Sequence, residues 1–347
     1  MASLLCLNKA VFLPREPFLG FRTDPPVTDV ILSVNPFFSH FPFQILTTGA
    51  PKKKAVFVLG SSGTGKSKLA IDLALRFAGE IINSDKMQVY DGLPIITNKV
   101  TDDECAGIPH HFLGGIHPDA DYTASEFRRD ATSAAEEIAA RGRLPIIAGG
   151  SNSYIRELVA GDNGEFARRF DCCFIWVDVD WSVLDEFVAD RVDRMVEQGL
   201  VEEARGLFDT AGDYSRGIRR SIGVPEMDRF FRLESVSGEA EAAAVLEEAI
   251  EEIKANTCRL TRVQREKIQR FASEDGWRLH RVDATAAVLR RKEAAAGRVW
   301  RETVLAPSVE VVRRLVGKDG ILTRCSGAVA AGRKVPVTAV VGAGQSL

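Results

Sequence analysis

The stretch that most constrains this chain is Gly60-Ser61-Ser62-Gly63-Thr64-Gly65-Lys66-Ser67. It lies between the apolar run Ala55-Val56-Phe57-Val58-Leu59 and the amphipathic run Lys68 to Phe77. Strand, glycine-rich loop and helix at the spacing G-x-x-x-x-G-K-[ST] make a P-loop signature. Its glycines let successive backbone N–H groups turn into one concavity, and the following helix adds the positive end of its dipole. Lys66 sets a point charge against phosphate oxygens, and Ser67 offers a hydroxyl to a divalent cation. The helix reading rests on Leu69, Leu73 and Phe77, which recur on one helical face. The loop asks for a phosphate, without saying which one or what is done to it.

Downstream the pattern alternates. Glu80 to Asp85 reads as a short strand ending in a carboxylate. Thr123-Ala124-Ser125-Glu126 is a capping box opening a helix with Phe127, Ala131, Ala134 and Ile138 on one face, stopped at Gly142. Leu144 to Ala148 is a strand running into Gly149-Gly150, and Cys172 to Val177 is another, apolar as a strand buried on both faces should be. Ser182 to Gln198 reads as a helix with Leu184, Val188, Val192 and Met195 inward. The fold class is therefore α/β: a P-loop NTPase-like parallel sheet flanked by helices, with ligands at the carboxyl ends of the strands. The remainder is mainly helical. Glu239 to Phe271 is expected as one long or once-broken helix, with Leu246, Ile250, Ile253, Leu260 and Ile268 as its core positions.

Three segments are expected. Residues 1–50 carry prolines, scattered phenylalanines and no sustained period, and form a leader whose start suits an organelle transit peptide, although Glu16, Asp24 and Asp29 interrupt it. Residues 51–316 form the P-loop domain with its helical part, and 317–347 a loose tail rich in Gly, Ala and Val. At net charge -3 the body is not built mainly to grip nucleic acid by counterion release. The six cysteines show no C-x-x-C pairing, so they read as reduced thiols. No apolar run approaches the roughly 18 residues a membrane span needs.

Several side chains have two readings. Asp85 caps the next segment, or serves beside the phosphate as a base or a water-mediated Mg²⁺ ligand. Asp178 and Asp180 close an apolar strand as a Walker B carboxylate does, yet a turn or helix-cap role is the commoner one. Arg219 and Arg220 reach over a phosphate as a fork, or lie in a solvated turn. His110 and His111 are structural or line the cleft. The basic residues Arg259, Arg262, Arg265, Lys267 and Arg270 read as a solvated helix face.

These motifs occur in an order that resembles one family. Gly60 to Ser67, Ile82 to Tyr90, Thr97-Asn98-Lys99, Pro109-His110-His111, Ala148 to Tyr154 and Gly217 to Glu226 together look like the plant adenylate isopentenyltransferases, relatives of the tRNA dimethylallyltransferases. The resemblance covers roughly Lys54 to Phe271. It implies transfer of a dimethylallyl group from dimethylallyl diphosphate to the exocyclic N6 of ATP or ADP, the first step of cytokinin synthesis, with Mg²⁺ and release of diphosphate. By the same resemblance the P-loop (Gly60, Ser61, Ser62, Gly63, Thr64, Gly65, Lys66, Ser67) and Arg220 hold the diphosphate, and Ser67 also faces the Mg²⁺. Asp85 is the general base, Ser67 and Ser151 stand near the reacting amine, and Lys99 binds substrate. The P-loop's Ser61-Ser62 departs from the Ala-Thr or Pro-Thr expected at those permissive positions, and the tail has no counterpart in the family.

Two alternatives remain. A tRNA dimethylallyltransferase shares this core but needs surface for an anticodon stem-loop; here about twenty residues separate Gly150 from the next strand, and no zinc-finger spacing occurs. A small-molecule kinase shares the P-loop but transfers a γ-phosphate. The partners expected are ATP or ADP and dimethylallyl diphosphate, with no nucleic acid and no membrane, in a monomer located in the plastid or, failing that, the cytoplasm.

Overall fold

The computed structural model describes residues 51–317. The expected leader and the tail beyond residue 317 lie outside the described residues. Six strands, β1 (Lys53–Leu59), β2 (Gly79–Asn83), β3 (His110–His111), β4 (Leu144–Ala148), β5 (Phe170–Asp178) and β6 (Leu279–Asp283), form one sheet. Its order is β3-β2-β4-β1-β5-β6, and every pairing is parallel.

The helices that connect and cover the strands are α1 (Lys66–Phe77), α2 (Ala124–Ala140), α3 (Asn152–Arg169), α4 (Trp181–Glu197), α5 (Leu200–Arg205), α6 (Asp228–Leu233), α7 (Glu239–Ser273), α8 (Thr285–Leu289), α9 (Ala296–Trp300) and α10 (Ala306–Val316). Residues Arg301–Leu305 join α9 to α10 in a π-helical turn. No helix among the described residues is long and apolar enough to cross a membrane.

The two-residue period of a strand divides the core. Val56 and Val58 of β1 face α1 and the C-terminal helices through Leu69, Leu73, Leu184 and Trp300. Ala55, Phe57 and Leu59 face the opposite way, toward α2, α3 and α7. Because β1 is central, all five residues from Ala55 to Leu59 are fully buried, which is why the run before the P-loop reads as continuously apolar. Burying each of the larger ones contributes roughly 1.5–3 kcal/mol. At the start of α2, the Thr123 hydroxyl accepts from the Glu126 N–H while the Glu126 carboxylate accepts from the Thr123 N–H, so both halves of the capping box are present.

The strand order places a switch point at β1. The chain passes from β1 outward to β2 and β3, returns to β4 beside β1, and then crosses to β5 on β1's other side. The crevice at the carboxyl ends of β1, β2 and β4 is where an open parallel sheet receives a ligand.

Four features differ from the sequence expectations. The α3 helix is broken at Gly161 to Gly164, whose backbone leaves the helical region, and this interruption hides its period. Strand β3 is too short to show alternation, and β6 is an edge strand in which Val282 alone is buried. The long helix α7 is unbroken from Glu239 to Ser273, but its inward stripe is Val245, Ala249, Ile253, Thr257, Thr261, Gln264, Ile268 and Phe271. Leu246 and Ile250 sit only partly buried beside it, and Leu260 is exposed. The central turns of that stripe are polar because they pack against the P-loop, whose backbone needs hydrogen-bonding partners.

Candidate active site

The P-loop springs from the end of β1 and closes on α1. Gly65 takes a left-handed backbone (φ +88°), so a side chain there is strained, and a Cβ would also come within 2.9 Å of the Trp300 ring. Trp300 is in turn fixed by its Nε1–H, which donates to Asp72 on α1 (2.7 Å). Within the loop, the Thr64 hydroxyl donates to the Ser61 carbonyl (3.0 Å), and the Lys66 ammonium donates to the same oxygen (3.2 Å). Burial lowers the Lys66 pKa to about 8, with the Asp85 charge opposing and the Arg191 charge adding to the shift. A cation held this way binds an anion strongly, since the anion restores the solvation that burial removed.

The second wall is made where β2 and β4 end side by side. A Cβ on Gly149 would overlap the Ser84 carbonyl group, so glycine alone lets the β4 loop lie against the residue preceding Asp85. Across this contact the Ser151 N–H donates to the Ser84 carbonyl (3.2 Å), and the Lys86 N–H donates to the Ser151 hydroxyl (2.7 Å). Asp85 uses one carboxylate oxygen to accept from the Met87 N–H (3.0 Å). The other, Oδ2, is directed at Gly150, 3.5 Å from where a Cβ on that glycine would stand. No ion pair engages Asp85 among the described residues. The capping and the catalytic readings are thus compatible, one oxygen serving each.

Arg220 lies in the turn Gly217–Arg220 and enters the same neighbourhood. Its Nη2 donates to the Tyr90 hydroxyl (3.3 Å) and its Nε to the Gly217 carbonyl (3.2 Å). Its partner in sequence diverges: Arg219 donates to the Leu207 carbonyl and pairs with Asp119 (3.5 Å), so the two arginines are not one fork. Lys99 binds the carbonyls of Tyr90 and Gly92, bracing the loop that follows Asp85. Ser67 is exposed on the first turn of α1.

The carboxylates at the end of β5 resolve into structural roles. Asp178 is buried and paired with Arg265 (3.1 Å) and Arg281 (2.7 Å), and Asp180 caps α4 by accepting from the Ser182 N–H (3.1 Å). Arg265 therefore leaves the expected solvated face of α7, whereas Arg262, paired with Asp185 (2.7 Å), stays exposed on it with Arg259, Lys267 and Arg270. His111 pairs with Glu80 (2.8 Å) on the sheet edge, and His110 with the Ile108 carbonyl (2.9 Å). Both histidines are structural.

Two residues beside the P-loop belong to no motif in the sequence. Gln264 of α7 accepts from the Ser62 N–H (2.8 Å) and donates to the Gly150 carbonyl (3.0 Å), joining the P-loop to the β4 loop. Arg191 of α4 reaches the Ser62 hydroxyl (2.9 Å). Each lies far along the chain from the loop it serves, and a polar residue on an otherwise apolar helical stripe was the one available hint.

Among the described residues, no group of three or more His, Cys, Asp or Glu side chains converges as a metal site. The Ser67 hydroxyl, exposed on the first turn of α1, is a single oxygen donor of the kind Mg²⁺ takes beside phosphates and water.

A parallel sheet with the P-loop at its switch point defines the class as a P-loop α/β fold. The family model described as IPP transferase matches residues 88–169 and 160–270. The chain is 54% identical to the chloroplastic adenylate isopentenyltransferase 5 of Arabidopsis thaliana over 268 residues, which is 76% of this chain and 81% of that protein. It is 48% identical to the mitochondrial adenylate isopentenyltransferase 7 of the same plant, over 78% of this chain and 83% of the relative. Among solved structures, a eukaryotic dimethylallyltransferase acting on tRNA superposes with a TM-score of 0.63 at 22% identity, covering 76% of this chain and 80% of that one. That likeness shows the P-loop NTPase-like fold. The chain belongs to the adenylate isopentenyltransferases, and it is a prenyltransferase enzyme.

Proposed function

We propose that this protein transfers a dimethylallyl group from dimethylallyl diphosphate to N6 of ATP or ADP, with Asp85 as the general base. The observation that carries this reading is the Asp85 carboxylate, anchored through one oxygen, in no ion pair among the described residues, with its other oxygen toward Gly150 and its charge felt at Lys66 of the P-loop. The adenine amino group is a poor nucleophile because its lone pair is delocalised into the ring. As the allylic C–O bond breaks, its electron pair passes to the diphosphate oxygen, and N6 bonds to the allylic carbon. The N6 proton passes to Asp85, so charge never accumulates on the amine. Lys66, the P-loop N–H groups and Arg220 stand where negative charge develops on the leaving group. The Ser151 hydroxyl, accepting from the Lys86 N–H, holds the base-bearing segment to the β4 loop. Ser67 would hold Mg²⁺ together with the phosphates, and the ion would supply charge neutralisation on the leaving group.

The relatives' names support adenylate as the acceptor, and two of them support an organelle location, plastid being the favoured one. The test offers purified enzyme dimethylallyl diphosphate with ATP, ADP, AMP or an anticodon stem-loop, and identifies products by mass. Prenylated ATP or ADP with diphosphate release is expected. Prenylation of the stem-loop with the nucleotides untouched assigns the chain to tRNA, and phosphoryl transfer assigns it to the kinases.

A further inference from the structure

The P-loop is gripped from two sides. A Cβ on Gly63 would meet Val188 at 2.9 Å, Phe187 at 3.1 Å and Leu184 at 3.3 Å, so apolar side chains of α4 close one side. On the other side, the atoms that a Cβ on Gly65 would meet are Cη2 and Cζ3 of Trp300, both at 2.9 Å. These two atoms form one edge of the indole. The opposite edge carries the Nε1–H, which donates to Asp72 (2.7 Å). Gly65, Lys68 and Asp72 recur at spacings of three and four along one face of α1. The Lys68 ammonium lies over the indole, 5.3 Å from its centroid, and pairs with Asp72 (3.4 Å). The ring is therefore clamped along the start of α1 and spans from Asp72 back to the residue before Lys66.

Trp300 is itself held by the C-terminal helices, outside every motif of the sequence. It is buried in the same core cluster as Leu69, Leu73, Val299 and Val304. Directly after it the chain makes the π-helical turn Arg301–Leu305. The wider turn lets Val299 and Val304, five residues apart, both be buried beside the ring. Such turns are rare and are found mostly at functional sites. What this one serves is the neighbouring glycine. Gly65 is left-handed at φ +88°, in a loop whose N–H groups must face one concavity to meet phosphate. Glycine is also the residue freest to leave its conformation. A rigid ring seated against it removes that freedom.

We propose that Trp300 is a positioning residue for the P-loop: its indole, braced on Asp72, holds Gly65 and so fixes the aim of the Lys66 N–H and ammonium on substrate phosphate. Trp300 acts through Gly65 and touches no phosphate itself. Naming that phosphate as the diphosphate of the prenyl donor rests on the function proposed above. The C-terminal helices thereby belong to the working site and not to the core alone.

The experiment measures binding of inorganic diphosphate, with Mg²⁺, to the full chain by calorimetry, beside KM for donor and acceptor and thermal unfolding. Phenylalanine lacks the N–H and is too short to span from Asp72 to Gly65. Trp300→Phe should therefore lower diphosphate affinity about tenfold, the scale of one misdirected hydrogen bond to a charged group, and raise the donor KM with it. The acceptor KM should change less than about twofold. Asp72→Ala leaves the ring but frees its N–H, and should cost about threefold in affinity; Asp72→Asn keeps an acceptor oxygen and should recover most of that loss. Val312→Ala, buried in the same core on α10, should lower the unfolding temperature and leave diphosphate affinity at wild type. Wild-type affinity in Trp300→Phe overturns the proposal, as does an equal loss of affinity in Val312→Ala. Should Trp300→Phe fail to fold, the Asp72 variants decide: unchanged affinity in Asp72→Ala overturns the proposal, and a loss that Asp72→Asn recovers supports it. If diphosphate binding depends on Trp300 yet the wild type transfers no prenyl group, the Trp300 assignment stands and the proposed reaction falls.

Discussion

Strands β2 and β5 flank the β4–β1 pair, and each runs apolar into an aspartate, Asp85 just beyond the one and Asp178 at the end of the other. Asp178 is 3% exposed and covered by Arg265 and Arg281, both from outside its own strand. Asp85 pairs with no cation among the described residues and keeps one oxygen toward Gly150. The same helix makes the difference on both sides. Around one turn of α7, Arg265 closes the β5 carboxylate, while the adjacent Gln264 braces the P-loop and the β4 loop without neutralising anything. A carboxylate at a strand end is thus a functional group or a structural one according to what the covering helix brings to it.

The sharpest way to break this comparison is to remove the charge of each carboxylate in turn. Asp85→Asn keeps size and the link to Met87 but cannot accept the proton, so turnover should fall by about 10²–10⁴-fold. Donor affinity and thermal unfolding should be near wild type, as read by calorimetry. Turnover within threefold of wild type would move the base elsewhere.

Next in size is Lys66→Ala. The ammonium meets phosphate in the ground state and in the transition state, so donor affinity and kcat/KM should fall together, by about ten- to a hundredfold. A variant that loses ATP affinity while binding dimethylallyl diphosphate normally would return the loop to the nucleotide.

Asp178→Asn should act on the other observable. Losing the buried carboxylate leaves two arginines facing each other, at a cost of about 1–3 kcal/mol, at the low end because Arg281 is half exposed. Denaturant titration should show this loss, with kcat within a few-fold of wild type per folded molecule. A turnover defect as deep as that of Asp85→Asn, without loss of stability, would make Asp178 a reacting group.

The smallest effect is a pH dependence with two opposite signs. Burial lowers Lys66 to about 8, against an ordinary lysine value near 10.4 in the unfolded chain. Above pH 8 the free enzyme loses the proton that diphosphate needs, so donor affinity should fall by up to about tenfold per unit. Between pH 8 and the unfolded value the unfolded chain holds more protons than the folded one, so Lys66's contribution to stability rises over that window while affinity declines. Lys66→Arg should remove both trends, and a flat affinity profile from pH 7 to 9.5 would show that the ammonium keeps its proton throughout.

By itself the sequence determined the parts governed by local rules. The P-loop is contiguous, its strand is buried on both faces and reads as continuously apolar, and the capping box of α2 spans four residues. Asp85, Ser151 and Arg220 were legible because they sit in motifs of a resembled family, and their roles are carried from it. What only the tertiary structure decided concerns residues that meet across long separations. Gln264 and Arg191 reach Ser62 from 202 and 129 residues away, and Trp300 closes on Gly65 from the far end of the domain. On α7 the expected core positions Ile253 and Ile268 are buried, while between them the inner face packs on loop backbone and carries Thr257, Thr261 and Gln264 in place of Leu260. Side-chain periodicity records whether a neighbour is apolar and not which neighbour it is. The fate of a strand-end carboxylate therefore waits on the arginines that the folded chain sets beside it.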